Sequence, residues 1–160
     1  MLRPWDFRLA LITFVLVFVL AEKNARLRAS PHLLDVSTGL GIAVLAVVLA
    51  ALSILVAFLS EDYAKILAAV KPGVSGAIRP YAQTALVSGL TTLVSVTGLF
   101  FWPIAPPWGR ALILAAALGL TVWAVVGTVE LVGITAKHGR LRARLPEIED
   151  AYHDAKRKAS

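Results

Sequence analysis

Four long apolar runs, at residues 9–21, 36–59, 85–102 and 111–136, leave this 160-residue chain almost no material for a domain in water. Crossing the ~30 Å of bilayer hydrocarbon takes about 20 apolar residues at a rise of about 1.5 Å each. The second and fourth runs are long enough outright. The third mixes serine and threonine with leucine and valine, yet holds no charge between Arg79 and Arg110. Its hydroxyls can return their hydrogen bonds to the helix's own carbonyls. The first reaches spanning length only if Trp5, Phe7 and the aliphatic stems of Arg8 and Lys23 cover its two edges. A rival reading takes residues 1–21 as a signal peptide, with Arg3 and Arg8 as its basic start and Val19, Leu20 and Ala21 as its small-residue end.

We carry four spans forward, over about residues 5–27, 33–59, 81–102 and 110–136, within a transmembrane domain 1–136. A basic tail, 137–160, follows. The expected fold is therefore an all-α integral membrane protein: an antiparallel, left-handed four-helix transmembrane bundle with a short cytoplasmic interfacial helix and a C-terminal cytoplasmic helix. The interfacial helix is expected to be capped by Ser60, to carry Tyr63, Ile66, Leu67 and Val70 on one face, and to stop at Pro72 and Gly73. The tail helix opens at Pro146, with acids early and Lys156, Arg157 and Lys158 late, an order that complements the helix dipole. Ser30 and Pro31 read as the cap and first residue of the second helix, ahead of its apolar part.

Charge sets the expected orientation. With both termini in the cytoplasm, twelve of the sixteen Lys and Arg residues fall inside and four outside, the bias that topology follows. That bias points to a bacterial plasma (inner) membrane. Lys23, Arg26 and Arg28 sit on the unfavoured side. The surplus of +6 lies where this rule places it, so it argues for anionic headgroups as partners, met by Arg140, Arg142 and Arg144, and against nucleic acid. Trp102 and Trp108 flank Pro103, Pro106 and Pro107 in a turn, and their indoles suit the outer interface.

Small residues carry the more specific signal. In the second span Gly39, Ala43, Ala46, Ala50, Ser53 and Ala57 recur at steps of four and three among bulky neighbours. In the third, Thr84, Ser88, Thr91, Ser95 and Gly98 repeat the spacing. Lipid tails reward bulk as a protein core does, so small residues concentrate where another backbone comes close, and a 3.5-residue period implies left-handed crossings. The first stripe reads as a helix-packing seam. The second reads as either a packing stripe or, through its hydroxyls, the lining of a wetted lumen between subunits. Glu130 is the one Asp, Glu, Lys, Arg or His within the four apolar runs, which makes it an ion or gating candidate, with Arg79 as a plausible counter-charge and Lys137 on its own face.

Enzyme chemistry finds no footing. The chain has no cysteine and three scattered histidines, of which His32 is paired with Asp35 only as a helix start. No metal site, cofactor fingerprint, nucleophile elbow or phosphate loop is present in the sequence. The expected function is non-enzymatic: self-association into a pore, channel or membrane-perturbing homo-oligomer. The alternative is an accessory or assembly subunit docking onto other membrane subunits. A small-solute carrier fits less well, because no inverted repeat or broken helix is legible.

Overall fold

A computed structural model of the protein describes residues 4–58 and 73–143, and all regular structure among them is helical. The elements are α1 (Pro4–Lys23), α2 (Ala25–Arg28), α3 (His32–Phe58), α4 (Gly73–Phe101) and α5 (Pro107–Ala143). The expected interfacial helix from Ser60 and the tail helix from Pro146 lie outside the described residues.

Three helices are long and apolar enough to cross a membrane: His32–Ala57, Ile78–Phe101 and Pro107–Lys137. The protein is thus a helical, membrane-embedded chain. Its outer surface is made for lipid, with Leu86 70% and Phe100 80% exposed, where a chain folded in water would place charge. α1, whose 20 residues include Asp6, Arg8, Glu22 and Lys23, is not among the three.

Side-chain contacts fix how the helices run past one another. Gly41 of α3 abuts Ser88 and Thr92 of α4, and Leu34 reaches Gly98, so residue numbers rise on one helix as they fall on the other. Along α4 and α5 the order is likewise opposed: Tyr81 meets Thr135, Thr84 meets Gly127, and Gly98 meets Ile113. α1 lies along α5 in the same reversed sense, Phe7 against Trp123 and Ala10 and Phe14 against Gly119. Among the long helices, α5 is packed against all three others.

Two apolar clusters fill the interior. One joins Val44, Val48, Leu55, Tyr81, Val87, Ala124 and Leu131. The other joins Ala21, Leu34, Trp102, Ala111, Leu114 and Ala117.

Helix ends depart from expectation in instructive ways. α3 starts at His32, and the Ser30 hydroxyl donates back to the Arg26 carbonyl at 2.9 Å rather than capping α3. The backbone N–H groups of Ala29 and Ser30 already reach the α2 carbonyls of Ala25, Arg26 and Leu27, and the Ser30 hydroxyl adds a second donor to that of Arg26. Asn24 caps that helix, its Oδ1 accepting from Arg26 N at 3.0 Å.

α4 begins at Gly73, well before the expected residue 81, and carries Pro80 inside it. A proline there removes one N–H and leaves the rest of the ladder able to form. α5 does not stop at Ala136 but continues through Gly139 to Ala143, for a length of about 55 Å, more than the hydrocarbon needs.

The α4–α5 turn also corrects the reading of its tryptophans. Trp108 is 62% exposed as an interface residue should be, but Trp102 is 7% exposed and belongs to the core. Arg110 holds it there: Nε donates to the Trp102 carbonyl at 3.1 Å, Nη2 donates to the Pro103 carbonyl at 3.2 Å, and the guanidinium lies 5.9 Å from the Trp102 ring centroid. The end of α4 needs donors for its last carbonyls, and a guanidinium supplies several from one side chain.

Candidate functional site

The hydroxyl stripe of α4 points inward. Thr84, Ser88, Thr91, Ser95 and Gly98 are all buried among the chain's own helices. Thr84, Ser88 and Thr91 donate to the carbonyls of Pro80, Thr84 and Val87 at 3.0, 2.8 and 2.8 Å, so each satisfies itself on its own helix.

Ser95 behaves differently. Its Oγ donates to Ser37 Oγ at 2.9 Å, and Ser37 Oγ lies 2.6 Å from Thr121 Oγ1. Thr121 in turn donates to the Ala117 carbonyl at 2.8 Å. Ser37 Oγ also lies 3.4 Å from the Ala117 carbonyl oxygen, so Ser95 donates into a Ser37–Thr121 pair that ends on that carbonyl. It ties α4, α3 and α5 together with three hydroxyls and one backbone acceptor, and every donor in it is used. Tyr81 does the same further along, its hydroxyl 2.6 Å from Thr135 Oγ1, which itself donates to the Leu131 carbonyl. Ser37, Thr121, Tyr81 and Thr135 were not singled out from the sequence. A lone hydroxyl carries no spacing signal, and only the register of two helices makes it a partner.

The seam of α3 points the other way. Gly39, Ala43, Ala46, Ala50, Ser53 and Ala57 are all exposed, and a Cβ added at Gly39 would meet nothing within 4 Å. α3 packs instead through Leu34, Ser37, Gly41, Val44, Val48 and Leu55, on its opposite side. The close backbone approach belongs to Gly41, where a Cβ would come within 2.5 Å of Thr92 Oγ1 and 3.2 Å of the Ser88 carbonyl oxygen. The small-residue face thus remains uncovered by the described part of the chain. Beside it, Val47, Ala51 and Ile54 form with Thr128, Leu131 and Val132 of α5 an open, apolar groove of about 330 Å³.

Glu130 is half-buried on α5 and is engaged in the structure. Arg79, Lys137 and Arg140 are exposed, Arg142 belongs to the last turn of α5, and Arg144 lies outside the described residues. Among the described residues no group of three His, Cys, Asp or Glu side chains is placed to hold a metal.

One ionisable residue was missed. Asp6, which was not singled out from the sequence, is only 2% exposed. It shares a face with the buried Ala10 and Ala21 and the half-buried Val17, a spacing that was available as a signal. Its depth was not, since that comes from the register of α1 on α5. With Phe7 packed on Trp123 at 5.7 Å between centroids, the first turn of α1 comes level with a point about 20 Å from Arg110 and about 20 Å from Lys137 along α5.

Against known proteins, the chain matches no family model, no curated protein and no solved structure.

Proposed function

We propose that this chain is a non-enzymatic, multi-pass membrane protein that works by lateral association, pairing with a second copy of itself through the outward seam of α3. In this reading four spans pack as an antiparallel left-handed bundle, both termini lie in the cytoplasm of a bacterial plasma membrane, and Arg140, Arg142 and Arg144 meet anionic headgroups.

The observation that carries the proposal is the outward face of α3, where six small residues at heptad spacing lie uncovered. In lipid there is no hydrophobic drive to bury such a face, but there is a gain in van der Waals contact when two backbones come close along it. A second copy is the natural occupant. Copies inserted in the same orientation present the same uncharged seam, and a twofold axis along the membrane normal brings one against the other as an isologous pair.

A pore lined by the α4 hydroxyls would need the chain's own helices to part and the Ser95–Ser37–Thr121 chain to break. Association through α3 requires neither. The same seam would serve an accessory subunit, with a partner's helix in place of the second copy.

Gly39→Leu and Ala46→Leu test the proposal, measured as the mass of the purified chain in nanodiscs. We expect a dimer for the parent and at least about tenfold weaker dimerisation in either variant, a change of ~1.4 kcal/mol. Thermal stability of the Gly39→Leu subunit should be unchanged, since the added Cβ meets nothing. A parent that stays monomeric at high loading, or leucine variants that dimerise equally well, would overturn it. A monomeric parent that co-purifies with another membrane protein in a seam-dependent way would favour the accessory role.

A further inference from the structure

We propose that the groove between α3 and α5 is a lipid site, holding one acyl chain of an anionic phospholipid whose headgroup is met by Arg140. The inference does not rest on pairing through the α3 seam, since Val47 and Ile54 stand between the groove and the seam on the helix surface.

The walls of the groove select hydrocarbon. Val47, Ala51 and Ile54 form one side and Thr128, Leu131 and Val132 the other. The threonines on the α5 side have spent their protons: Thr128 donates to the Ala124 carbonyl at 2.9 Å, and Thr135 donates to the Leu131 carbonyl at 2.8 Å. Thr135 Oγ1 in turn accepts from the Tyr81 hydroxyl at 2.6 Å. A polar solute entering the groove would give up hydrogen bonds to water and find no donor in return, a cost that a methylene chain does not bear. The length also fits. The α5 lining runs from Thr128 to Ala136, about 12 Å of helix. Half of the ~30 Å hydrocarbon thickness is about 15 Å, so a chain descending from one leaflet matches that run.

Charge at one end of the groove sets the partner. The apolar stretch of α5 closes at Lys137, and Arg140 stands about 5 Å further on, at headgroup depth. Position 140 follows Ala136 by four residues and position 142 follows Thr135 by seven, so the helix brings both arginine positions round to the groove side. Arg140 is exposed, and at Gly139, beside it, an added Cβ would meet nothing within 4 Å. That turn leaves room next to the backbone for a glycerol and a phosphate. Acids are kept away: α3 carries no charge between Asp35 and its end at Phe58, and Glu130 shares the opposite side of α5 with Lys137. A guanidinium holds a phosphate through paired N–H donors, and an anionic headgroup adds a net attraction that a zwitterionic one lacks.

The test is native mass spectrometry of the full chain released from nanodiscs of mixed phosphatidylglycerol and phosphatidylcholine. Retained lipid is counted per chain in every oligomer peak, so a chain that never dimerises tests the site equally well. We expect one phosphatidylglycerol per chain, kept in preference to phosphatidylcholine. Arg140→Gln should weaken retention roughly fivefold, the worth of one basic side chain at an anionic surface. Lys137→Gln, which removes the same charge from the other side of α5, should leave retention unchanged. Ala51→Phe should abolish it by filling the groove with the arginines intact, and Val132→Trp does the same from the α5 wall if Ala51→Phe fails to fold. No retained lipid, or equal retention of the two lipids, would overturn the proposal. So would filled-groove variants that bind as before, or equal losses in Arg140→Gln and Lys137→Gln, either of which would leave only a basic surface attracting headgroups.

Discussion

Gly41→Leu is expected to destabilise the folded chain by roughly 3 kcal/mol or more, the upper end of what overpacking costs. Even the first added atom would stand 2.5 Å from Thr92 Oγ1 and 3.2 Å from the Ser88 carbonyl oxygen. The threonine hydroxyl can rotate away at the loss of its 3.1 Å bond to the Ser88 carbonyl, but the carbonyl belongs to the α4 backbone and can yield only if the helix moves. Separation of α3 from α4 at that level would also stretch the Ser95–Ser37 bond a turn away. The measurement is the unfolding midpoint in detergent or nanodiscs, with Gly39→Leu as the matched control two residues earlier. A large loss at 41 with none at 39 is the expected result. Equal effects at the two positions would mean that the inward and outward faces of α3 have been assigned wrongly.

Gly119→Leu should have the second largest effect, confined to α1. A Cβ at 119 would lie 3.2 Å from the Ala10 carbonyl oxygen and 3.2 Å from Phe14 Cβ, so α1 must move off α5 to admit a leucine. The movement would open the Phe7–Trp123 edge contact and uncover Asp6. We expect amide exchange in α1 to speed up by roughly tenfold or more, ~1.4 kcal/mol of local stability, while α3 and α4 keep their protection. Uniform loss of protection in all the long helices would instead mean that α1 and the other three unfold as one unit.

What was legible in the residues, and what was not, follows from lipid being the solvent. Apolar runs interrupted by Arg79, Arg110 and Lys137 placed the three long spans, because charge at a helix end is a strong signal in a bilayer. The common face of Thr84, Ser88, Thr91, Ser95 and Gly98 was legible from spacing alone. Its direction was not. In water a polar side marks the outside of a helix, but here Leu86 and Leu93 face outward while serines face inward, and hydrophobicity carries no arrow. For the same reason the two sides of α3, one built on Gly39 and the other on Gly41, could not be told apart in advance. Ser37 and Thr121 were silent because each is a single hydroxyl whose role needs a neighbour from another helix. Asp6 was silent because an acid in a first helical turn carries no sign of its depth, which only the seating of Phe7 on Trp123 set.

The absence of cysteine gives the central claim its most direct test. A single cysteine placed in turn at each residue from 39 to 57 of α3, in native membranes under oxidising conditions, reports which positions meet their own copy across a twofold axis. The account predicts covalent dimers at Gly39, Ala43, Ala46, Ala50, Ser53 and Ala57, with the 3.5-residue rhythm of a parallel left-handed pair, and little at Ile42, Leu49 or Val56. A flat pattern, or one that peaks at those three bulky positions, would contradict it.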